Sequence, residues 1–565
     1  MSKIRENMPR TLRELLADVT VSFGTKTAFR EKKDGVYQDV SYARFGEEVK
    51  ALSLMLEGHF APGDRVVLLG KNSYRWVLSF MALTVLGVIP VPVDAAVRPK
   101  DLAAIAAEAE IEGILYDAEL RGKRRVLTGV TAICFDKYPY LLAEGKHKMN
   151  AADYNLHDFE ADTDDLAALF FTPGTTGSPK GVMLSHRNLL ASIGNICQMI
   201  DLDGEDVFLS VLPLSHTYEC VCGFLLPLYH GATVAFGEGL AHLLRNMREI
   251  HPTFMVTIPF IAEALYRKCW QKIERGGRET RVRRFIAVSD PVRPLSVRQA
   301  MKERLLATDR AFFGGALRRL LVLGEPMDAA VQKGLRQLGV FTMQGYGMTE
   351  CAALAAMDRD DSYRDGSAGL AFPDTMLDIY NAQPDGSGEI RYKGDNVMLG
   401  YLGDPARTEK ALDGGWYYTG DIGRIDKDGF LFILGRRQNC IETAGHRLIC
   451  PEFLERMLCQ SPFVKEAVVV GTLNPETKDS EPAAMILPDL DYTVEVLGEN
   501  CTEEELEKAI DEWIAELNGE LDLYQQISFY VLCEQPFPKD GAGRVRRAEM
   551  AKVFQRLMSQ SKKEM

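Results

Sequence analysis

The chain has 565 residues, too many for a single hydrophobic core, so we expect two or more domains. Its content of 46% hydrophobic and 26% charged residues is ordinary for a globular protein. The formal net charge of −14 makes the molecule as a whole repel nucleic acid and anionic membranes, which excludes a general nucleic-acid-binding role. Any function must therefore lie in local sites.

Eleven cysteines are scattered along the chain without a CxxC pair. The closest two, Cys220 and Cys222, have no further His or Cys at zinc spacing. We expect them to be reduced residues of the core, which favours a cytoplasmic location. The first residues contain no apolar signal segment, and the apolar stretch 76–93 is broken by Gly87 and two prolines. That stretch predicts a buried helix followed by a buried strand, with no integral membrane segment.

Apolar runs alternate with helical patterns over the first two thirds of the chain. A run at 64–70 precedes a helical pattern at 73–86 and a second run at 89–94, and the same rhythm returns at 231–259. This order is typical of parallel sheets covered by helices. From about residue 365 the pattern changes to short strands separated by Gly and Asp turns, which predicts antiparallel hairpins. We place a domain boundary near 435, giving domains 1–435 and 436–565.

The stretch FFTPGTTGSPKGVMLSH, residues 170–186, is the clearest candidate for a phosphate-binding loop. It is not a Walker A loop, because Pro179 replaces the required glycine and Gly181 replaces the hydroxyl residue after the lysine. An extended run also follows it, where a Walker loop enters a helix directly. Its glycines still permit backbone N–H groups to converge on an oxyanion, and Lys180 adds a positive charge.

Five stretches in the same order resemble motifs of the adenylate-forming, or AMP-binding, superfamily. They are FTPGTTGSPKGVMLSHRNL, LPLSHTYE at 212–219, QGYGMTE at 344–350, GWYYTGDIGRIDKDGFLFILGRR at 415–437 and GHRLICPEFLE at 445–455. The start of the chain is similar to the long-chain fatty acid–CoA ligase branch of that family. The resemblance implies a large N-terminal α/β domain of parallel layers with a β-barrel-like subdomain, and a small mobile α+β C-terminal domain.

The resemblance also implies a reaction. A carboxylate attacks the α-phosphate of ATP bound with Mg²⁺, which gives an acyl-adenylate and pyrophosphate. The thiol of coenzyme A, a co-substrate, then displaces AMP and forms a thioester. The protein contributes positioning and charge stabilisation rather than a covalent bond.

The family's functional residues carry over to positions of this chain by their place in the motifs. The implied clamp for the departing phosphates consists of Thr172, Gly174, Thr175, Thr176, Gly177 and Lys180. The implied adenine and α-phosphate contacts are Gly324, Gln344, Gly345, Tyr346 and Thr349, with Glu350 and Thr172 positioning Mg²⁺. Asp421 and Arg436 would bind the ribose, His216 would border the acyl site, Gly445 would leave room for coenzyme A, and Gln438 would be the hinge. Lys180, Thr349, Glu350 and Arg544 would carry the catalysis.

Four positions depart from the family pattern. Pro173 replaces a hydroxyl residue of the loop, and Glu325 replaces a small residue near the expected adenine site. Gln438 stands at a hinge position that is usually Lys or Asp. Arg544 stands where the family has a lysine that bridges the substrate carboxylate and the α-phosphate. Arginine keeps the charge in a longer, planar group, so we expect a working but slower adenylation step.

Three functions remain open at this point. The first is an ATP-dependent acid–thiol ligase that makes acyl-CoA from a medium- or long-chain fatty acid. The second adenylates an acid but passes it to an acyl carrier protein. The third is a catalytically weakened homologue that binds a nucleotide or an acyl-adenylate without turnover.

Overall fold

A computed structural model describes residues 8–151, 161–172, 179–280, 282–283, 311–474, 477–539 and 545–564. The chain divides into two compact units. The larger unit comprises residues 1–377, 392–417 and 426–431, and the smaller comprises 378–391, 418–425 and 432–565. The domain boundary near residue 435 stays a prediction.

The strands vary in length from two residues to ten. In chain order they are β1 Thr27–Lys33, β2 Val36–Ser41, β3 Arg65–Leu69, β4 Ile89–Val93, β5 Gly113–Tyr116, β6 Thr131–Cys134, β7 Leu166–Thr172, β8 Lys180–Ser185, β9 Val207–Ser210, β10 Thr233–Phe236, β11 Phe254–Thr257, β12 Arg319–Val322, β13 Phe341–Tyr346, β14 Ala356–Met357, β15 Leu370–Ala371, β16 Met376–Tyr380, β17 Gly388–Lys393, β18 Gly400–Tyr401, β19 Leu412–Asp413, β20 Trp416–Ile425, β21 Leu431–Arg436, β22 Ile441–Glu442, β23 Leu448–Ile449, β24 Val464–Leu473, β25 Ser480–Pro488 and β26 Phe529–Leu532.

Helices connect most of these strands. The α-helices are Leu12–Ser22, Tyr42–Leu56, Tyr74–Val85, Pro99–Ala109, Arg121–Arg124, Tyr138–Ala151, His186–Cys197, Leu226–His230, Leu243–Ile250, Pro259–Arg275, Ala329–Gln337, Pro405–Ala411, Pro451–Leu458, Leu490–Leu497, Glu503–Glu520 and Arg547–Glu564. A π-helix spans Tyr218–Leu225, and short 3₁₀ turns include Thr349–Cys351 and Arg437–Asn439.

The larger unit contains a nine-stranded sheet in the order β15-β14-β13-β12-β11-β9-β10-β1-β2. Its central strands pair in parallel, from β13 through β12, β11, β9 and β10 to β1, while both edges pair antiparallel. The apolar runs at 231–237 and 253–259 form β10 and β11, each fully buried, as their composition predicts. The parallel layers expected from the alternating pattern are therefore present.

A second, parallel sheet has the order β4-β3-β5-β6. The apolar stretch 76–93 forms the buried helix Tyr74–Val85 and then β4, as predicted. Pro90 and Pro92 lie on β4, an edge strand, where the missing N–H of proline leaves no ladder bond unmade. Among the helices that the structure describes, none has the length and apolarity that crossing a bilayer would require.

The phosphate-loop segment is held by a three-stranded antiparallel sheet in the order β18-β8-β7. The extended run after Lys180 is β8, and the helix His186–Cys197 begins directly after it. Ser185 caps that helix by accepting from the Asn188 amide, while Asn188 accepts from the Ser185 amide. This reciprocal cap fixes the exit of β8 and hence the position of Lys180 at its start.

The smaller unit combines sheets and helices. Strands β16, β17, β20 and β21 pair in one sheet, β22 pairs with β23, and β24, β25 and β26 form a third. Helices Pro451–Leu458 and Glu503–Glu520 pack their apolar faces on β24 and β25 through residues such as Leu454, Ile510 and Ile486. The α+β character that the resemblance implies for the C-terminal part of the chain is therefore found.

The π-helix of the larger unit buries an acidic residue, Glu219, which is 1% exposed. Its carboxyl group fills the space beside Gly223, where a Cβ atom would lie 2.7 Å from it. Ser210 and the Leu212 amide face the carboxyl, but neither of its oxygens makes a hydrogen bond of ordinary geometry within the described part of the chain. Burial raises the pKa of Glu219 to about 8, so the group is mostly uncharged at neutral pH.

We predict that Glu219→Gln removes a pH dependence of stability. The folded carboxyl binds its proton up to about pH 8, whereas the unfolded one releases it near 4.5. The contribution of the protonated Glu219 to the free energy of unfolding is therefore complete below about pH 4.5. It is lost as the pH rises towards 8, by at most about 1.4 kcal/mol per pH unit. Glutamine is uncharged and of equal size, so the stability of the variant should increase relative to that of the wild type as the pH rises.

The measurement is the urea midpoint of unfolding of both proteins from pH 5 to pH 8. The exposed Glu57→Gln is the control and should follow the wild type. Parallel curves for Glu219→Gln and the wild type would contradict the assignment of a neutral buried carboxyl.

Candidate active site

Several predicted site residues follow the carboxyl ends of neighbouring parallel strands. Gly324 comes just after β12, and Gln344, Gly345 and Tyr346 end β13. His216 follows β9 in the same sheet. Because parallel strands end at one edge of a sheet, this edge is the usual place for a ligand in an α/β fold.

The side chain of Gln344 is fixed at this edge. It is 3% exposed, its Oε1 accepts from the Met327 amide at 2.9 Å, and its Nε2 donates to the Glu325 carbonyl at 2.7 Å. Gln344 therefore ties β13 to the segment after β12. The Glu325 side chain, whose effect on adenine the sequence left open, is exposed.

Two positions at this edge favour glycine, one for its backbone conformation and one for lack of space. Gly324 has φ +99°, a conformation that favours glycine. A Cβ atom at Gly345 would lie only 2.7 Å from the Leu323 side chain. Tyr346, the predicted adenine contact, is buried at 8% exposure at the end of β13.

The predicted phosphate loop begins and ends on paired strands. Thr172 at the end of β7 lies directly opposite Lys180 at the start of β8. Among the residues that the structure describes, the buried Thr172 Oγ1 atom has no hydrogen-bond partner, which is unusual for a hydroxyl and leaves it ready for a ligand. The loop positions between them, Pro173, Gly174, Thr175, Thr176 and Gly177, lie outside the described residues.

An ion pair joins this sheet to the turn after β13. Lys180 Nζ lies 2.7 Å from Glu350 Oε1, and the Glu350 side chain is only 6% exposed. The Tyr401 hydroxyl donates to the same oxygen at 2.8 Å, and Lys180 Nζ lies 4.8 Å from the centre of the Tyr401 ring. Sequence reasoning identified Lys180 and Glu350 but missed Tyr401, since its segment GYLGDP was not among the motifs considered.

The segments that carry Thr349 and His216 approach each other next to this pair. Thr349 Oγ1 lies 3.4 Å from Thr217 Oγ1, which brings the turn after β13 next to the predicted acyl-site segment. His216 is exposed to solvent, yet protein surrounds it closely enough that desolvation lowers the pKa of its imidazole. Such a combination is typical of a side chain in a recess.

The donors present suit a magnesium ion accompanied by a nucleotide. Thr172 and Glu350 both adjoin Lys180 and offer hard oxygen atoms, one of them unpartnered. Within the described ranges, no group of three or more His, Cys, Asp or Glu side chains could hold a metal by itself. Mg²⁺ is commonly held by one or two carboxylates together with substrate phosphates, so this small set fits it.

The remaining predicted residues lie in the smaller unit. Asp421 on β20 is 4% exposed, and its carboxylate pairs with Arg436 Nε at 2.9 Å. The Asp421 amide donates to Thr419 Oγ1, and the preceding Gly420 has φ +71°. The two predicted ribose contacts are thus paired, and the tight turn at Gly420 orients Asp421.

Two further positions of this unit are exposed. Gln438, the predicted hinge, lies in the 3₁₀ turn after β21. Gly445 lies between β22 and β23, where a Cβ atom would meet only Thr443 Oγ1, at 3.9 Å. The space that the coenzyme A prediction needs at Gly445 is therefore available. Arg544 lies outside the described residues.

Comparison with known proteins agrees with this arrangement. The AMP-binding enzyme family matches residues 17–402, and the AMP-binding enzyme C-terminal domain family matches residues 443–563. FadD15 of Mycobacterium bovis, a long-chain-fatty-acid–CoA ligase, is 28% identical over 470 residues, which cover 78% of this chain and 77% of that protein.

Two solved structures share the fold. An o-succinylbenzoate CoA synthetase from Bacillus subtilis, in complex with its acyl-adenylate intermediate, aligns with a TM-score of 0.71 at 21% identity, covering 95% of this chain and 97% of its own. A Mycobacterium tuberculosis fatty acyl-CoA synthetase aligns with a TM-score of 0.67 at 20% identity, covering 96% and 98%. The predicted fold class is confirmed, and the chain belongs to the AMP-binding enzyme family.

Proposed function

We propose that this enzyme is an ATP-dependent acid–CoA ligase acting on medium- or long-chain fatty acids. It converts the carboxylate and ATP to acyl-AMP and pyrophosphate, and then converts acyl-AMP and CoA thiol to the thioester, AMP and a proton. The supporting observation is the Lys180–Glu350 pair beside the unpartnered hydroxyl of Thr172. A cation, a carboxylate and a free hydroxyl are the groups that a metal-bound triphosphate requires.

The residues of the larger unit would divide the work of adenylation. Lys180 leaves Glu350 to contact the β and γ phosphates, and Thr172 Oγ1 gains the partner that it lacks. When bound, Mg²⁺ neutralises part of the phosphate charge, with Glu350 as its carboxylate ligand. Thr349 positions the α-phosphate, while Gln344, Gly345 and Tyr346 hold the adenine at the sheet edge.

The smaller unit would supply the ribose contacts and the second half of the reaction. Asp421 accepts from the ribose hydroxyls, and Arg436, already paired with it, holds the carboxylate in position. Gly445 admits the pantetheine arm of CoA, and rotation of the mobile domain about Gln438 brings it to the acyl-adenylate. Arg544 bridges the substrate carboxylate and the α-phosphate during the first step.

Two findings support a fatty acid as the substrate. The curated relative FadD15 is named for long-chain fatty acids, whereas the Bacillus subtilis neighbour, which shows the fold alone, acts on o-succinylbenzoate. The π-helix after His216 is almost entirely apolar and buried, apart from the neutral Glu219. An apolar site for the chain of the acid would contribute about 0.8 kcal/mol per methylene.

The first test traps the acyl-adenylate as a hydroxamate, using ATP, Mg²⁺, hydroxylamine and a panel of fatty, aryl and short acids. We expect product with medium- or long-chain fatty acids and a loss of at least about tenfold in Glu350→Gln, which lacks the charged metal ligand. Glu48→Gln is the control, because Glu48 is also buried beside a cation and a tyrosine hydroxyl, Arg44 and Tyr74.

The outcomes separate the three functions. Thioester formation with free CoA supports the proposal. Thioester formation only with a holo-acyl carrier protein would show that the acyl acceptor is a carrier protein and not CoA. ATP binding without hydroxamate from any acid would instead indicate a non-catalytic binding protein.

A second prediction concerns Arg544. If its guanidinium contacts both anions, Arg544→Ala should slow acid-dependent pyrophosphate exchange by about 100-fold, the usual cost of one lost charge-stabilising donor. Arg544→Lys should keep most of the rate because it keeps the charge. Arg546→Ala is the matched control, since Arg546 pairs only with the exposed Glu549 among the described contacts. Equal exchange in the wild type and Arg544→Ala would exclude a catalytic role.

A further inference from the structure

Glu350 Oε1 is the meeting point of two donors that belong to neighbouring strands. Lys180 Nζ lies 2.7 Å from this oxygen and the Tyr401 hydroxyl lies 2.8 Å from it. Lys180 Nζ also lies 3.3 Å from the Tyr401 hydroxyl and faces the Tyr401 ring. The tyrosine therefore contacts both members of the ion pair at once.

The backbone fixes Tyr401 in this position. Tyr401 on β18 lies opposite Val182 on β8, which places it diagonally next to Lys180 on the same face of the sheet. Its amide donates to Thr408 Oγ1 at 2.9 Å, and the Met398 amide donates to the Glu350 carbonyl at 2.8 Å. The segment 398–401 is thus attached to both β8 and the Glu350 turn.

The Tyr401 hydroxyl is the donor in its contact with Glu350, because a carboxylate oxygen accepts. Lys180 Nζ, which can only donate, points to the same hydroxyl oxygen at 3.3 Å, so the Tyr401 proton is left for Glu350. Tyr417 lies beside this hydroxyl. Tyr401 is 6% exposed and Tyr417 is 4% exposed, so water does not compete strongly.

We propose that Tyr401 is a positioning residue that aims the Glu350 carboxylate at the metal of the nucleotide. This inference rests on the proposed function, because it takes Glu350 as the carboxylate ligand. By occupying Oε1 from one fixed direction, the phenol holds the carboxylate in place when Lys180 moves to the phosphates. Hydrogen-bond partners of metal ligands commonly have this role, and their loss costs about 10- to 100-fold in metal affinity.

The test compares Tyr401→Phe with a matched variant, Tyr74→Phe. Tyr74 donates to the buried Glu48 at 2.8 Å, and Glu48 also pairs with Arg44, so both substitutions delete one phenol hydroxyl from a buried carboxylate–cation pair. Tyr74 lies on a helix that carries none of the predicted site residues. A lost hydrogen bond alone should lower both unfolding temperatures by similar amounts.

The readout is calorimetric titration with ATP in the absence of any acid, once with Mg²⁺ and once with EDTA. We expect Tyr401→Phe to weaken binding at least about tenfold with Mg²⁺ and less than about twofold with EDTA. Tyr74→Phe should match the wild type in both arms. Tyr417→Phe, which removes the buried hydroxyl next to Tyr401, should weaken only the Mg²⁺ arm, and by less; it also serves if Tyr401→Phe does not fold.

Three results would overturn the inference. Unchanged Mg²⁺-dependent binding in Tyr401→Phe would show that the phenol does not position Glu350, while leaving the proposed function intact. Equal weakening in the Mg²⁺ and EDTA arms would assign the phenol to the nucleotide pocket in general. No ATP binding by the wild-type protein in either arm would remove the proposed function, and the inference with it.

Discussion

The Lys180–Glu350 ion pair is the interaction on which the candidate site depends. It spans two sheets of the larger unit, because Lys180 starts β8 of the three-stranded sheet and Glu350 follows β13 of the nine-stranded sheet. With Glu350 almost fully buried, losing Lys180 would leave its carboxylate without a cation, which typically costs about 3–5 kcal/mol. The pair therefore fixes the position of β8 relative to the nucleotide edge before any ligand arrives.

The buried polar groups of the larger unit are of two kinds. Gln344 already has partners, which hold it in one orientation. Thr172 Oγ1 and Glu219 lack ordinary partners, which is costly in a buried environment. The hydrogen-bonded groups hold side chains in fixed orientations, whereas the groups without hydrogen bonds are desolvated without compensation. At Thr172 this free-energy cost is offset if a ligand supplies the missing hydrogen bond.

Local patterns were sufficient to predict most of the fold. The apolar runs that became β3, β4, β10 and β11, and the helix Tyr74–Val85, follow from periodicity because burial and hydrogen bonding act over neighbouring residues. The motifs predicted Lys180 and Glu350 because each stands within a contiguous pattern. Tyr401 was not predicted, because its segment lies outside the five motifs and its contact with Glu350, 51 residues earlier in the chain, depends on the register of β18 on β8. The neutral state of Glu219 likewise depends on surroundings that only the folded chain assembles.

The prolines of β4 affect how its sheet contacts the sheet formed by β7 and β8. β4 shares a hydrophobic cluster with β7 and β8, in which Val91 and Val93 belong to the same core as Leu169, with Met183 packed against it. Pro90 and Pro92 have no amide to donate, so this junction relies on apolar contact more than on a ladder of directional bonds. Apolar surfaces can slide over small distances at lower cost than hydrogen-bonded strands can. The sheet that carries Lys180 thus meets its neighbour through apolar packing, which a small displacement of β8 would disturb less than it would disturb a hydrogen-bonded ladder.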